Sequence, residues 1–142
     1  MNYRLVIKLL GSVLVVLSVS MALSEGVVLI IELLGGDLRH ETEGHARVAL
    51  LTAAIIGGIA GGFMWLTTRK ASTHLGRREA LLLVAMSWII GAALSALPFL
   101  IWAHSSGNEL AEHPFRNAIN CYFEATSGLT TTGATVLSDI EA

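Results

Sequence analysis

Charge is scarce in this sequence. Only 14% of its 142 residues are Asp, Glu, Lys or Arg, against 54% hydrophobic, which is too apolar for an ordinary soluble domain. Its single cysteine, Cys121, excludes an intrachain disulfide and leaves the redox compartment open. No basic stripe marks any segment, so nothing supports nucleic-acid binding. No nucleophile–base pair and no cluster of metal ligands falls within an apolar stretch, so catalysis has no residues to carry it. The nearest candidates are Cys121 and the histidines His40 and His45, which share a polar loop but lack the further ligands a zinc site needs. The chain reads as a non-enzyme without a cofactor.

What the sequence has instead is long apolar runs. Residues 5–24 follow the basic Arg4 and include Lys8, and about 20 apolar residues are enough to cross a bilayer. The same stretch imitates a secretory leader, with small residues at Ser20 and Ala22. Hydrophobicity resumes at residues 27–31 and at Leu33 and Leu34, which suits one long, tilted or bent helix with Glu25 at the interface. A polar loop over residues 35–47 carries Asp37, Arg39, His40, Glu41, Glu43 and His45.

The second span covers residues 48–68 and holds two overlapping small-xxx-small pairs, Gly57 with Gly61 and Gly58 with Gly62. Such spacing makes a smooth helix face on which a neighbouring helix packs closely. A phosphate-binding reading fails, because no Lys-Ser/Thr follows the glycines and they lie inside an apolar span. Arg69, Lys70, Arg77 and Arg78 make the next loop the most basic in the chain. The third span covers residues 81–102, with Gly91, Ala92, Ser95 and Ala96 as a small face and Pro98 expected to kink its end. The loop over residues 104–113 is acidic, with Glu109 and Glu112. By the positive-inside rule the N-terminus and the second loop face the cytoplasm, and the first and third loops face out.

The last stretch cannot cross. Pro114 suits the first turn of a helix, residues 115–127 supply its body, and Gly128 suits a left-handed residue just past its end. Such a helix is roughly 20 Å long, short of a full span. Residues 130–136 are threonine-rich and β-branched, with Gly133 where the backbone needs freedom, so they are expected to be extended. They reach about 20 Å, enough to return to the side from which the helix entered. Non-helical backbone at membrane depth is tolerated only when buried in protein or lining a watery path. A helix whose negative end points inward favours a cation there, and extended backbone carbonyls can replace the ion's water shell. The plainer alternative is a helix end followed by an exposed threonine-rich linker.

The run Phe123-Glu-Ala-Thr-Ser-Gly-Leu-Thr-Thr-Thr-Gly-Ala-Thr-Val136 resembles the first pore loop of the Trk/Ktr potassium-uptake family, specifically its TrkH-like membrane subunit. The likeness extends upstream through Ser95-Ala-Leu-Pro98-Phe99 and, more loosely, to Arg4 and Leu10-Gly11. It implies an all-α membrane protein with three transmembrane helices, then a re-entrant pore helix and an extended selectivity-filter segment. Residues 1–78 would hold the two leading helices and the basic loop. Residues 79–142 would form an incomplete first repeat of a four-repeat, potassium-channel-like architecture, with outer helix 79–102, pore helix about 114–127 and filter about 130–136.

The resemblance assigns Thr131, Thr132, Gly133 and Ala134 as filter positions whose carbonyls face K⁺, the transported ion. Glu124 and Asn120, on the pore helix, are expected to brace the filter or stay hydrated rather than bind the ion. It implies a multi-pass protein of the cell (inner) membrane with the pore loop entering from outside. Its implied partners are the remaining repeats, a homodimer mate and a cytoplasmic nucleotide-binding regulatory subunit (TrkA- or KtrA-like). Because the inner helix of the first repeat would follow Ala142, the expectation is a truncated or split member not competent for potassium uptake alone. The alternative is a non-transporting anchor or assembly module with a vestigial pore loop.

Overall fold

The computed structural model describes residues 3–34, 43–70, 75–106 and 113–137. Among these residues four α-helices follow one another: α1, Tyr3–Leu33; α2, Glu43–Thr67; α3, Arg77–Ser105; and the short α4, Ala118–Leu129, preceded by a 3₁₀ turn at Pro114–Arg116. Among the described residues there is no strand. Three of the helices, α1, α2 and α3, are long and apolar enough to cross a membrane. Exposed side chains such as Val16, Leu23, Ile55, Ile59 and Phe63 cover their outer faces, and so much outward apolar surface suits lipid rather than water. The chain is a membrane-embedded helical protein.

α1 is one unbroken helix of 31 residues, or about 46 Å at 1.5 Å per residue. It exceeds a bilayer core of about 30 Å and must tilt or project. The polar pair Ser24 and Glu25 does not end it. The Ser24 hydroxyl donates to Met21 O at 2.7 Å within the helix. Glu25 is buried at 6% exposure and paired with Arg47. Its charge is therefore met by the neighbouring helix rather than by water.

α1 and α2 run antiparallel. At one end Lys8 Nζ donates to Arg69 O at 3.4 Å, and the Arg69 guanidinium lies over the Trp65 ring at 5.2 Å. At the other end Arg47 Nε meets Glu25 Oε2 at 3.2 Å, and its Nη1 meets Glu32 Oε1 at 2.8 Å. Between these ends the helices touch backbone to backbone. A Cβ on Gly61 would lie 2.6 Å from Gly11 O and 2.9 Å from Leu14 Cβ, so neither glycine has room for a side chain. A Cβ on Gly57 would collide with the Ser18 hydroxyl and with Leu94 of α3, 2.7 Å away. The other two glycines are less crowded. Only Ser18 Cβ, at 3.9 Å, comes within 4 Å of a Cβ on Gly58, and nothing does at Gly62. In lipid, where helices gain little from hydrophobic burial, such close approach is what joins α1, α2 and α3.

α3 begins at Arg77 and continues through Pro98 to Ser105, beyond the expected 81–102 at both ends. Gly91, Ala92, Leu94 and Ala96 are its buried residues in the middle of the bundle. Arg4, Lys8, Arg69 and Lys70, with Arg77 and Arg78 at the start of α3, gather the basic residues toward one end of the molecule. Of the polar-loop residues, His40, Asp37, Arg39 and Glu41 lie outside the described residues, as do Glu109 and Glu112 of the acidic loop. His45 sits exposed in the first turn of α2.

Candidate functional site

The short helix and its sequel are built on the far end of α3. Phe115 packs against Phe99 at a ring-centroid distance of 5.1 Å, and His113 stands edge-on to Trp102 at 5.3 Å. His113 Nδ1 accepts from the Phe115 amide at 3.2 Å and so starts the 3₁₀ turn. The helix expected from Pro114 is interrupted here. Asn117 is extended at φ −92° and ψ 119°, and its Oδ1 accepts from Ile119 N at 2.9 Å, recapping the chain as α4. Asn120 donates from Nδ2 to Pro114 O at 2.9 Å and ties α4 to the turn before it. The Cys121 thiol is fully buried and donates to Phe115 O at 3.0 Å. It is a packed group, not a reactive one.

From this anchor α4 runs back along α3. Phe115 lies beside Phe99, whereas Tyr122 reaches Ile89 O at 3.4 Å, near the middle of α3. The helix ends later than the glycine rule placed it. Gly128 lies inside α4, and Thr131, at φ +54°, holds the left-handed position just past its end. Thr132 N donates to Ser127 O at 3.0 Å and Thr131 N to Gly128 O at 3.2 Å, the paired bonds of a Schellman motif. A β-branched residue at positive φ is strained. The threonine hydroxyls hold the extra turn in place, with Thr126 Oγ1 donating to Tyr122 O at 2.7 Å and Thr130 Oγ1 to Thr126 O at 2.8 Å.

Beyond the motif the chain reverses. Gly133 takes φ +73°, the other left-handed residue among those described. Val136 then returns to α4, where its amide donates to Glu124 Oε2 at 3.1 Å. Val136 and Leu137 pack on a cluster of Ala96, Ala103, Phe115, Cys121 and Ala125. The chain thus leaves α3's far end, descends toward its middle and comes back to the level of the descent. Between the two arms Thr131, Thr132, Gly133, Ala134 and Thr135 are all exposed. No described backbone amide donates to their carbonyls. These exposed residues lie just past the negative end of a helix, where a cation is favoured.

Other parts of the molecule offer less chemistry. A cleft of 640 Å³ between the three long helices is walled by Met21, Ser95, Phe99 and Phe115, with the paired Glu25 and Arg47 as its charged groups. Among the described residues no group of three or more His, Cys, Asp or Glu could hold a metal ion. The missed feature is the Arg47 clamp, whose only sequence signal is the spacing of Glu25 and Glu32 by two helical turns.

Comparison with known proteins bears on this loop. The chain is 36% identical over 95 residues to the Trk system potassium uptake protein TrkG of Escherichia coli strain K12, a match of 67% of the chain and 18% of that protein. Against the Trk system potassium uptake protein TrkH of the same strain it is 28% identical over 142 residues, which is 100% of the chain and 25% of the relative. The TrkH of Vibrio parahaemolyticus gives 28% over 141 residues, again 25% of its length. The chain therefore spans about a quarter of the TrkH relatives that it matches. No protein-family model and no solved structure matches it.

Proposed function

The chain belongs to the Trk potassium-uptake family as a TrkH-like sequence, and from that premise we propose that residues 114–137 form one re-entrant pore loop of a potassium pathway. The observation that carries this reading is the reversal itself. A short helix descends along α3, ends in a Schellman motif and returns through exposed carbonyls to a tie on Glu124. Thr131, Thr132, Gly133 and Ala134 supply the backbone oxygens that replace part of a K⁺ hydration shell. Gly133 lets the chain turn a carbonyl toward the ion at a φ that L side chains rarely adopt.

One such segment contributes one side of a coordination shell. The other sides come from further repeats, so transport is a property of the assembled protein. α1, α2 and α3 act as scaffold, joined by the Gly11–Gly61 contact. The end carrying Arg4, Lys8, Arg69 and Lys70 faces the cytoplasm by the positive-inside rule, and the pore loop then enters from the outside. A homodimer mate and a cytoplasmic nucleotide-binding regulatory subunit complete the assembly by family likeness.

The test is rubidium uptake by cells lacking their own potassium systems. Two forms are expressed: the chain alone, and a chimera in which it replaces the matching quarter of the Escherichia coli TrkH relative. Uptake by the chimera but not by the chain alone is the expected result. A chimera that inserts in the membrane and takes up no rubidium would point to the anchor or assembly module instead.

A further inference from the structure

Residues 131–135 run exposed between two fixed points, and both points belong to one face of α4. At the first, Ser127 O holds the Thr132 amide at 3.0 Å. At the second, Glu124 Oε2 holds the Val136 amide at 3.1 Å. Glu124 and Ser127 are three residues apart in α4 and are therefore neighbours on its surface. Their separation along the helix axis is about 5 Å. The four residue steps from Thr132 to Val136 could reach about 13 Å if extended. The chain between the anchors is longer than the gap, so it bows outward, with Gly133 at φ +73° in the bow.

We propose that Glu124 is a positioning residue that fixes the shape of this bow, and with it the direction of the carbonyls of Thr131, Thr132, Gly133 and Ala134. The role presupposes the filter reading above. The first anchor is backbone to backbone and survives any side-chain change. The second depends on one carboxylate, which is the only side chain holding an amide of the return arm to α4 among the described residues. A carboxylate accepting from an amide makes a stronger bond than a neutral acceptor does, and a carboxamide oxygen of the same reach still accepts. The apolar packing of Val136 and Leu137 on the cluster that includes Phe115 and Cys121 keeps the arm nearby without the carboxylate but does not fix its register.

The experiment uses the chain in lipid nanodiscs and follows amide exchange at Val136 by NMR. Glu124→Ala should speed exchange at Val136 about tenfold or more, while Thr130, bonded to Thr126 O within the helix end, stays protected. Glu124→Gln should keep most of the protection. In the TrkH chimera, the ratio of rubidium to sodium uptake should fall for Glu124→Ala and be retained in Glu124→Gln. Exchange at Val136 unchanged by Glu124→Ala would overturn the tie. Lost protection with an unchanged uptake ratio would overturn the positioning role while leaving the tie. A parent chimera without rubidium uptake would remove the filter reading, and the positioning role with it, whatever the exchange data give.

Discussion

Arg47 Nε and Glu25 Oε2 meet at 3.2 Å across α1 and α2, with the Glu25 side chain only 8% exposed. The same guanidinium holds both oxygens of Glu32, at 2.8 and 3.1 Å. One cation thus fixes two turns of α1 against the first turns of α2. Removing Arg47 leaves the Glu25 carboxylate buried without its partner, which is destabilising. Arg47→Met should lower the thermal unfolding temperature of the chain in detergent. Adding Glu25→Leu should recover much of the loss, because the buried charge is then gone. No difference between single and double variants would show that the pair carries no coupling.

Gly61 and Gly62 are adjacent in sequence and unlike in surroundings. A Cβ at Gly61 would lie 2.6 Å from Gly11 O, whereas a Cβ at Gly62 would meet nothing within 4 Å. Gly61→Ala should therefore push α1 from α2 at a cost of about 1–3 kcal/mol. Gly62→Ala should be neutral or slightly stabilising, as alanine favours helix. Unfolding of both variants in mixed micelles checks the contrast, and equal destabilisation would contradict the α1–α2 contact.

Thr131 holds a left-handed position that glycine normally fills. Thr131→Gly should relieve strain of about 1 kcal/mol and sharpen the end of α4. Unfolding midpoints measured in the same micelles would register the gain. A lower midpoint for Thr131→Gly would mean that the threonine side chain contributes more than its backbone costs.

Cys121 is fully buried and bonded to Phe115 O, so it should not react with impermeant maleimides. That leaves the native chain silent as a background for topology. Thr135→Cys should label from outside intact cells and Lys70→Cys only after permeabilisation. The reverse pattern would invert the proposed orientation.

The three spans were legible because each apolar run exceeds a bilayer, and that property needs no knowledge of partners. The glycine stripe was legible as a packing face, but not which glycines are in contact. Gly57–Gly61 and Gly58–Gly62 satisfy the same spacing, and only the register of α1 separates them. The pairing of Glu25 with Arg47 was illegible for the same reason, since the two are 22 residues apart. At the loop, Gly133 was readable as a conformational requirement. Gly128 misled, because threonine hydroxyls bonded to preceding carbonyls carry α4 past it to Leu129. The Glu124–Val136 tie depends on a reversal that no local pattern encodes.

Gly133 offers the most direct test of the filter. Its φ of +73° is unfavourable for any L side chain, yet a Cβ there would meet no atom within 4 Å. Gly133→Ser should therefore disturb the backbone of residues 131–135 while leaving the rest of the fold intact. The measurement is rubidium and sodium uptake by the TrkH chimera carrying Gly133→Ser, at matched membrane levels. Loss of discrimination between the two ions, with rubidium uptake reduced and sodium uptake raised, is the result this account predicts. An unchanged ratio would contradict it.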